Sequence, residues 1–132
     1  MNKHVLNGSR IILGLMFFIF GLNGIVMMFN GRGFFPDQPI SAEMMTIFTG
    51  FMTMKYMLPL VSIIEFVAGV LLLWGKYLNS VVIILTPIVL NILLIHIFVD
   101  LSGLVMALVI SALLGVIICS RWKYFKPMLL KN

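Results

Sequence analysis

Four long apolar runs limit what this chain can fold into. They cover residues 11–29, 57–74, 81–99 and 101–120, and Glu65 is the one Asp, Glu, Lys or Arg within them. Each run has about the 20 residues that an α-helix needs to cross the hydrocarbon core of a bilayer. Strands of a membrane barrel would instead alternate polar and apolar residues over about 10 positions, and no such alternation occurs. The sequence therefore predicts an all-α fold, a transmembrane four-helix bundle.

The composition supports the same class of protein. Hydrophobic residues make up 62% of the 132 residues and charged residues only 10%, whereas about 25% of a soluble domain is charged. The first run is longer than the apolar part of a signal peptide, and no small-residue cleavage site follows it. We expect that run to be a retained helix and the whole chain to be one membrane domain.

Basic residues are divided unevenly between the two sides of this topology. Seven fall on the side of both termini: Lys3, Arg10, Lys76, Arg121, Lys123, Lys126 and Lys131. Arg32 and Lys55 fall on the other side. Because cytoplasmic loops carry the excess of Lys and Arg, the pattern predicts a multi-pass protein of the cell membrane with cytoplasmic N- and C-termini.

The net charge of +5 is thus explained by membrane orientation, and no nucleic-acid partner is expected. In the basic tail, residues 121–132, aromatic side chains alternate with cations. This composition is typical of contact with an anionic inner leaflet.

Between the first two spans, residues 42–54 have the periodicity of a short amphipathic helix, with Ser41 as its N-cap. That helix either lies along the outer interface or folds over the bundle as a lid, and the sequence does not choose. Asp100 is expected to cap the fourth span, and Asn79 or Ser80 the third.

The fourth span carries a small residue at every fourth position: Gly103, Ala107, Ser111 and Gly115, followed by Cys119. Small residues at this spacing let another helix approach closely. We interpret them as a helix-packing face, used either within the bundle or in a homodimer. A lone cysteine cannot form an internal disulfide or a redox pair.

Four polar side chains lie deep in the predicted spans: Asn23, Glu65, Asn91 and His96. Helix rise places them in a common shell from mid-membrane into the outer half. Ionisable residues in a bilayer are costly and mark functional sites, so these four residues are candidates for ligand binding or proton handling. The alternative is interhelical hydrogen bonding that only stabilises the bundle. On an ideal helix Asn91 and His96 do not share a face.

No spaced ligand pair indicates a metal site, and no nucleotide-binding or nucleophile motif occurs. With one deep histidine, haem ligation between helices is not expected either. The residues alone do not indicate a catalytic activity.

The segments "RIILGLMFFIFGLNGI", "LPLVSIIEFVAGVLLLWGKY" and "PIVLNILLIHIFVD", followed by a fourth apolar helix, resemble the DoxX family of small four-helix membrane proteins. The matching positions are Arg10, Gly14, Gly21, Glu65, Gly69, Gly75 and His96. Where many members carry a lysine near the end of the first helix, this chain has Asn23, so a buried Lys–Glu pair is not available.

The resemblance implies an accessory subunit of a quinone-linked or oxidative-stress redox system, with quinone as a ligand and a redox protein as partner. The sequence is also compatible with two other functions. Four short helices with one membrane glutamate are also typical of small proton-coupled transporters. A structural scaffold with no ligand of its own would need only the packing face of the fourth span.

Overall fold

A computed structural model of the chain describes residues 2–130, all of whose regular elements are helical. Lys131, counted above in the basic tail, lies outside the described residues. The helices are α1 (Lys3–Asn30), α2 (Ala42–Thr53), α3 (Met57–Trp74), α4 (Leu78–Phe98), a 3-10 turn (Leu101–Gly103), α5 (Leu104–Ser120) and α6 (Trp122–Leu129). The helix predicted at 42–54 is confirmed as α2, whereas the helical form of the tail was not predicted.

Four of the helical segments are long and apolar enough to cross a membrane: α1, α3, α4, and α5 together with the 3-10 turn before it. The predicted fold class is therefore confirmed, and the chain has the architecture of a multi-pass membrane protein.

Local sequence determines several helix ends as expected. Ser41 caps α2, because its hydroxyl oxygen accepts a hydrogen bond of 3.1 Å from the Met44 N–H. Asp100 caps the 3-10 turn that precedes α5 in the same way. Gly75, with φ of 77°, ends α3 in the left-handed conformation that favours glycine.

The predicted cap of α4 at Asn79 or Ser80 is wrong. The helix begins earlier, at Leu78, directly after Tyr77 with φ of 57°. Asn79 is inside the first turn, where its side-chain oxygen accepts a hydrogen bond of 2.9 Å from Arg121 Nε. That bond connects the start of α4 to the junction of α5 and α6, which sequence spacing could not reveal.

The four long helices form a ring in the order α1, α3, α4, α5, with α1 and α3 the closest pair and α3 and α4 the loosest. We call the end that carries the start of α1 and the end of α5 the terminal end. The opposite end, which carries residues 31–56 and the turn at 99–103, is the distal end.

Glycines bring α1 and α3 into direct backbone contact. A methyl group on Gly69 of α3 would overlap the backbone of Phe18, and one on Gly21 of α1 would overlap the backbone of Phe66. At Gly24 a methyl group would meet the Ser62 side chain. This seam is the form of packing by which transmembrane helices associate most closely.

Arg10 joins the same two helices at the terminal end. Its guanidinium Nη1 donates to the carbonyl oxygens of Leu72 at 2.5 Å and Leu73 at 2.9 Å. The last carbonyls of a helix have no acceptor role within it and carry partial negative charge, so a cation there is favourable. Arg10 thus connects the first half of α1 to the end of α3.

The apolar core lies in the terminal half of the bundle. Its largest buried side chains come from all four long helices; they include Leu13, Phe17, Leu72, Leu85 and Ile117. Phe125 of α6 closes this core from below. The distal half, by contrast, contains a cavity of about 630 Å³ and a second one of about 280 Å³.

Replacing Gly69 by alanine should destabilise the protein, since the backbone of Phe18 cannot move away unless α1 and α3 separate. Overpacking of this kind costs about 1–3 kcal/mol. The matched control is Gly115→Ala on α5, where an added methyl group meets no atom within 4 Å. Unfolding of both variants in mixed detergent micelles measures the difference. Equal unfolding midpoints would show that the seam does not limit stability.

Candidate ligand cavity

A cavity of about 630 Å³ opens between α1, α3, α4 and α5 in the distal half. Its wall is mostly apolar, with Met16 and Phe20 from α1 and Ile110 from α5. Two ionisable side chains also line it, Glu65 from α3 and His96 from α4. The volume falls within the range of about 300–1,000 Å³ found for small-molecule sites.

Glu65 reaches this cavity from the middle of α3. One turn farther along, Gly69 lies on the tight seam with α1, so the position of α3 in the bundle is fixed close to the carboxylate. Glu65 is half-buried, and no hydrogen bond joins it to another described residue. Its carboxyl oxygens are therefore available to a ligand.

His96 is oriented by the turn that follows α4. Its Nδ1 lies 2.8 Å from the carbonyl oxygen of Asp100. Because a carbonyl oxygen only accepts, we assign the proton to Nδ1, and Nε2 of the neutral ring is then an acceptor. Gly103, at the end of the 3-10 turn, lies against the ring, and a side chain at this position would overlap the imidazole.

Asp100 is the polar centre of the distal end. It is buried, with 7% of its surface exposed. Its two carboxylate oxygens accept hydrogen bonds from the backbone N–H of Ser102 (2.9 Å) and of Ser41 (3.2 Å). One residue thus holds the histidine, the turn into α5 and the start of α2. Sequence reasoning found its capping role but not the link to Ser41, which is 59 residues away in the chain.

Helix α2 lies over the distal part of α4. Three of its side chains, Met44, Ile47 and Phe48, enclose a space of about 160 Å³ together with Ile95 and His96. Its packing against the rest of the bundle is sparse, so the hydrogen bond from Ser41 to Asp100 is its main polar attachment. The structure thus gives α2 the position of a cover over His96.

Asn91 lies on a different side of α4 from His96. It lines a separate cavity of about 280 Å³ between α3 and α4, together with Pro87 and Ile88. Glu65 borders this cavity as well as the larger one. Two of the polar residues, Glu65 and His96, are thus brought together in one cavity, and Asn91 approaches Glu65 from the other side.

Asn23 lies outside the larger cavity. Its side-chain oxygen accepts hydrogen bonds from the backbone N–H of Phe34 (2.8 Å) and Phe35 (3.2 Å). These bonds hold the start of the long connection against α1, with Gly33 packed directly on the amide. The amide is used for loop structure, which spacing along one helix could not indicate.

The small residues of the fourth span, from the 3-10 turn through α5, divide into two groups. Gly103 and Ala107 are in contact with the bundle, and the latter is 1% exposed. The hydroxyl of Ser111 donates to the Ala107 carbonyl within the same helix, at 2.7 Å. Gly115 faces open space and Cys119 is exposed. The distal part of this face therefore packs inside the bundle and the terminal part has no partner in the described chain.

Within residues 2–130, no group of three or more His, Cys, Asp or Glu side chains is close enough to hold a metal ion. What the larger cavity offers is a carboxyl group and an imidazole nitrogen on an apolar wall. These groups can donate or accept hydrogen bonds, and they can exchange protons with a bound polar group. No family model, curated protein or solved structure matches this chain.

Acid should release the start of α2. The hydrogen bond from the Ser102 N–H, with further ones from Ser41, lowers the pKa of Asp100 from its ordinary value of 3.8. Because folding lowers this pKa, the ionised carboxylate stabilises the fold fully above pH 3.8, and the contribution is lost as the pH falls through the lowered value. After correction for intrinsic rates, the amides of Ser41 and Met44 should exchange hydrogen faster in that acid range.

Asp100→Asn should show fast exchange of the same amides already at neutral pH, because an amide replaces one acceptor oxygen by a donor. Asp37→Asn is the control, since Asp37 is an exposed carboxylate at the same end of the bundle. If both variants exchange like the unmodified protein, Asp100 does not hold α2.

Proposed function

We propose that this chain is a DoxX-like membrane protein that binds a lipophilic ligand with a polar head group in the distal cavity. We further propose that it acts as an accessory subunit of a quinone-linked or oxidative-stress redox system. The observation that carries the proposal is the pairing of Glu65 and His96 on the wall of one otherwise apolar cavity. Ionisable side chains are costly to bury in a bilayer, so their presence within a span indicates a functional site.

A quinone suits the chemistry of this cavity. Its ring and tail are apolar, and its two carbonyl oxygens accept hydrogen bonds. Reduction to the quinol takes up two electrons and two protons. In this proposal a redox partner protein supplies the electrons, while Glu65 and His96 hold and transfer the protons at the ring oxygens. The Nδ1 contact with Asp100 orients the imidazole for this role.

The residues that carry the DoxX resemblance fall into a packing group of five residues and a cavity group of two, and this division supports the proposal. Gly14, Gly21 and Gly69 allow the close approach of α1 and α3. Arg10 and Gly75 lie against each other at the end of α3. The two remaining residues, Glu65 and His96, line the cavity.

We also propose that the terminal end faces the cytoplasm. Apart from Lys131, every residue in the basic set named above lies in the described chain, and α6 contributes Lys123 and Lys126. The cations of Arg121 and Lys123 lie 4.9 Å from the ring centre of Tyr124. A short helix with aromatics and cations, held by buried Phe125, suits the surface of an anionic leaflet.

Loss of the cavity's ionisable groups should abolish ligand retention. Glu65→Gln and His96→Ala should each lose a quinone-sized adduct that the unmodified protein keeps in native mass spectrometry after gentle extraction. Matched controls are Glu43→Gln and His4→Ala, which change the same residue types at exposed positions. Retention of the adduct in both cavity variants, or phospholipid as the sole adduct, would contradict the proposed function.

Orientation can be measured with single cysteines, because Cys119 is the one cysteine in the sequence. In a Cys119→Ser background, Asp37→Cys should react with a membrane-impermeant maleimide in intact cells. Lys126→Cys should react only after permeabilisation. The reverse pattern would place the termini outside.

A further inference from the structure

The seam between α3 and α4 forms an apolar groove on the outside of the bundle. Toward the terminal end it is a cavity of about 190 Å³ with a wholly apolar wall that includes Ile63 and Val67 of α3 and Ile84 of α4. Less than one helical turn farther along α4, at Pro87, the cavity that Asn91 lines begins. The two spaces follow one another along the loosest helix pairing of the ring.

Two side chains, Glu65 and Ile92, lie between this groove and the larger distal cavity. Glu65 and Ile92 belong to the walls of both the seam cavity and the larger distal cavity. Ile92 also lines the space beneath α2. A molecule in the seam therefore reaches the carboxyl group of Glu65 without passing through the core of the bundle.

Asn91 places a polar amide on the apolar outer surface of the bundle. It is exposed in the middle of α4, and no hydrogen bond joins its amide to another residue among those described. An amide without a partner in an apolar medium costs about 2–7 kcal/mol, so a hydrogen-bonding molecule in the seam would be favoured.

We propose that the α3/α4 seam is the tail-binding groove of the site, with Asn91 as a hydrogen-bonding residue next to the head group. The inference rests on the proposed function and adds the tail site and the ligand class. From Asn91 to Val81 the groove is about 15 Å long. The ligand is therefore a membrane-dissolved molecule with an extended apolar tail of that length and an uncharged head group that carries carbonyl or hydroxyl oxygens.

A phospholipid fits this groove less well. Asn91 lies seven residues before the end of α4 at Phe98, which is about 10 Å along the helix axis. A phosphate head group at that depth would leave the interface for the hydrocarbon. An uncharged ring can occupy the position next to Asn91 and Glu65 while its tail extends toward Ile84 and the terminal end.

Two probes separate the tail site from the head site: a fully substituted benzoquinone with a decyl tail, and tetramethylbenzoquinone, which has no tail. Each is titrated by native mass spectrometry against the whole protein. Val67→Trp and Ile84→Trp fill the groove from its two walls. Leu108→Trp is the control, because Leu108 on α5 is 51% exposed and Val67 is 48% exposed.

Both groove variants should weaken binding of the decyl probe at least tenfold and leave tetramethylbenzoquinone binding unchanged, while Leu108→Trp changes neither. Helical circular dichroism and the melting temperature of each variant report whether it is folded. A groove variant that binds the decyl probe as the unmodified protein does, or that loses both probes equally while folded, would overturn the tail groove alone.

Failure of the proposed function gives a different result. The unmodified protein would then bind neither probe, or would bind both regardless of Glu65→Gln. A phospholipid adduct that Val67→Trp removes without any effect on the decyl probe would identify the groove as a site for an annular lipid chain, and it too would overturn the inference.

Discussion

The close approach of α1 and α3 is the constraint on which the rest of the structure depends. Lipid tails are as apolar as leucine, so apolar surface alone does not drive helices together in a bilayer. Gly21 and Gly69 remove the side chains that would separate the two backbones. Arg10 then donates hydrogen bonds to the Leu72 and Leu73 carbonyls in the last turn of α3. With this pair fixed, α4 and α5 complete the ring and bury the terminal core.

The cavity lies where this close packing stops. Leu72 and Leu85 fill the space between the helices in the terminal half, whereas the same space in the distal half is open beside Glu65. The densely packed terminal half thus supports the open cavity of the distal half. Helix α2, which lines a smaller space on another side of His96, is held at one end by the bond to Asp100 and packs sparsely elsewhere. Rigid and loosely held parts thus meet at His96.

The fold was predictable where a local rule decides the outcome. The four spans follow from run length and apolarity, and the caps at Ser41 and Asp100 follow from residue type. Contacts between distant segments were not predictable in this way. The partners of Asn23, Asn79 and Asp100 are backbone or side-chain groups that only the folded chain brings near. Depth alone grouped Glu65 and His96 with Asn23, whereas in the structure Glu65 and His96 line one cavity and Asn23 does not.

The pairing of α1 with α3 also has a consequence for how the chain is made. Residues 31–56, including α2, must be synthesised before α1 meets its partner, so Arg10 is made before the carbonyls that accept its hydrogen bonds. The α4/α5 pair is joined by only five residues, 99–103, and can close as soon as both of its helices have been inserted. The bundle thus consists of two antiparallel hairpins, one closed by a long connection and one by a short one. The cavity wall takes residues from both hairpins, so neither hairpin alone encloses the site.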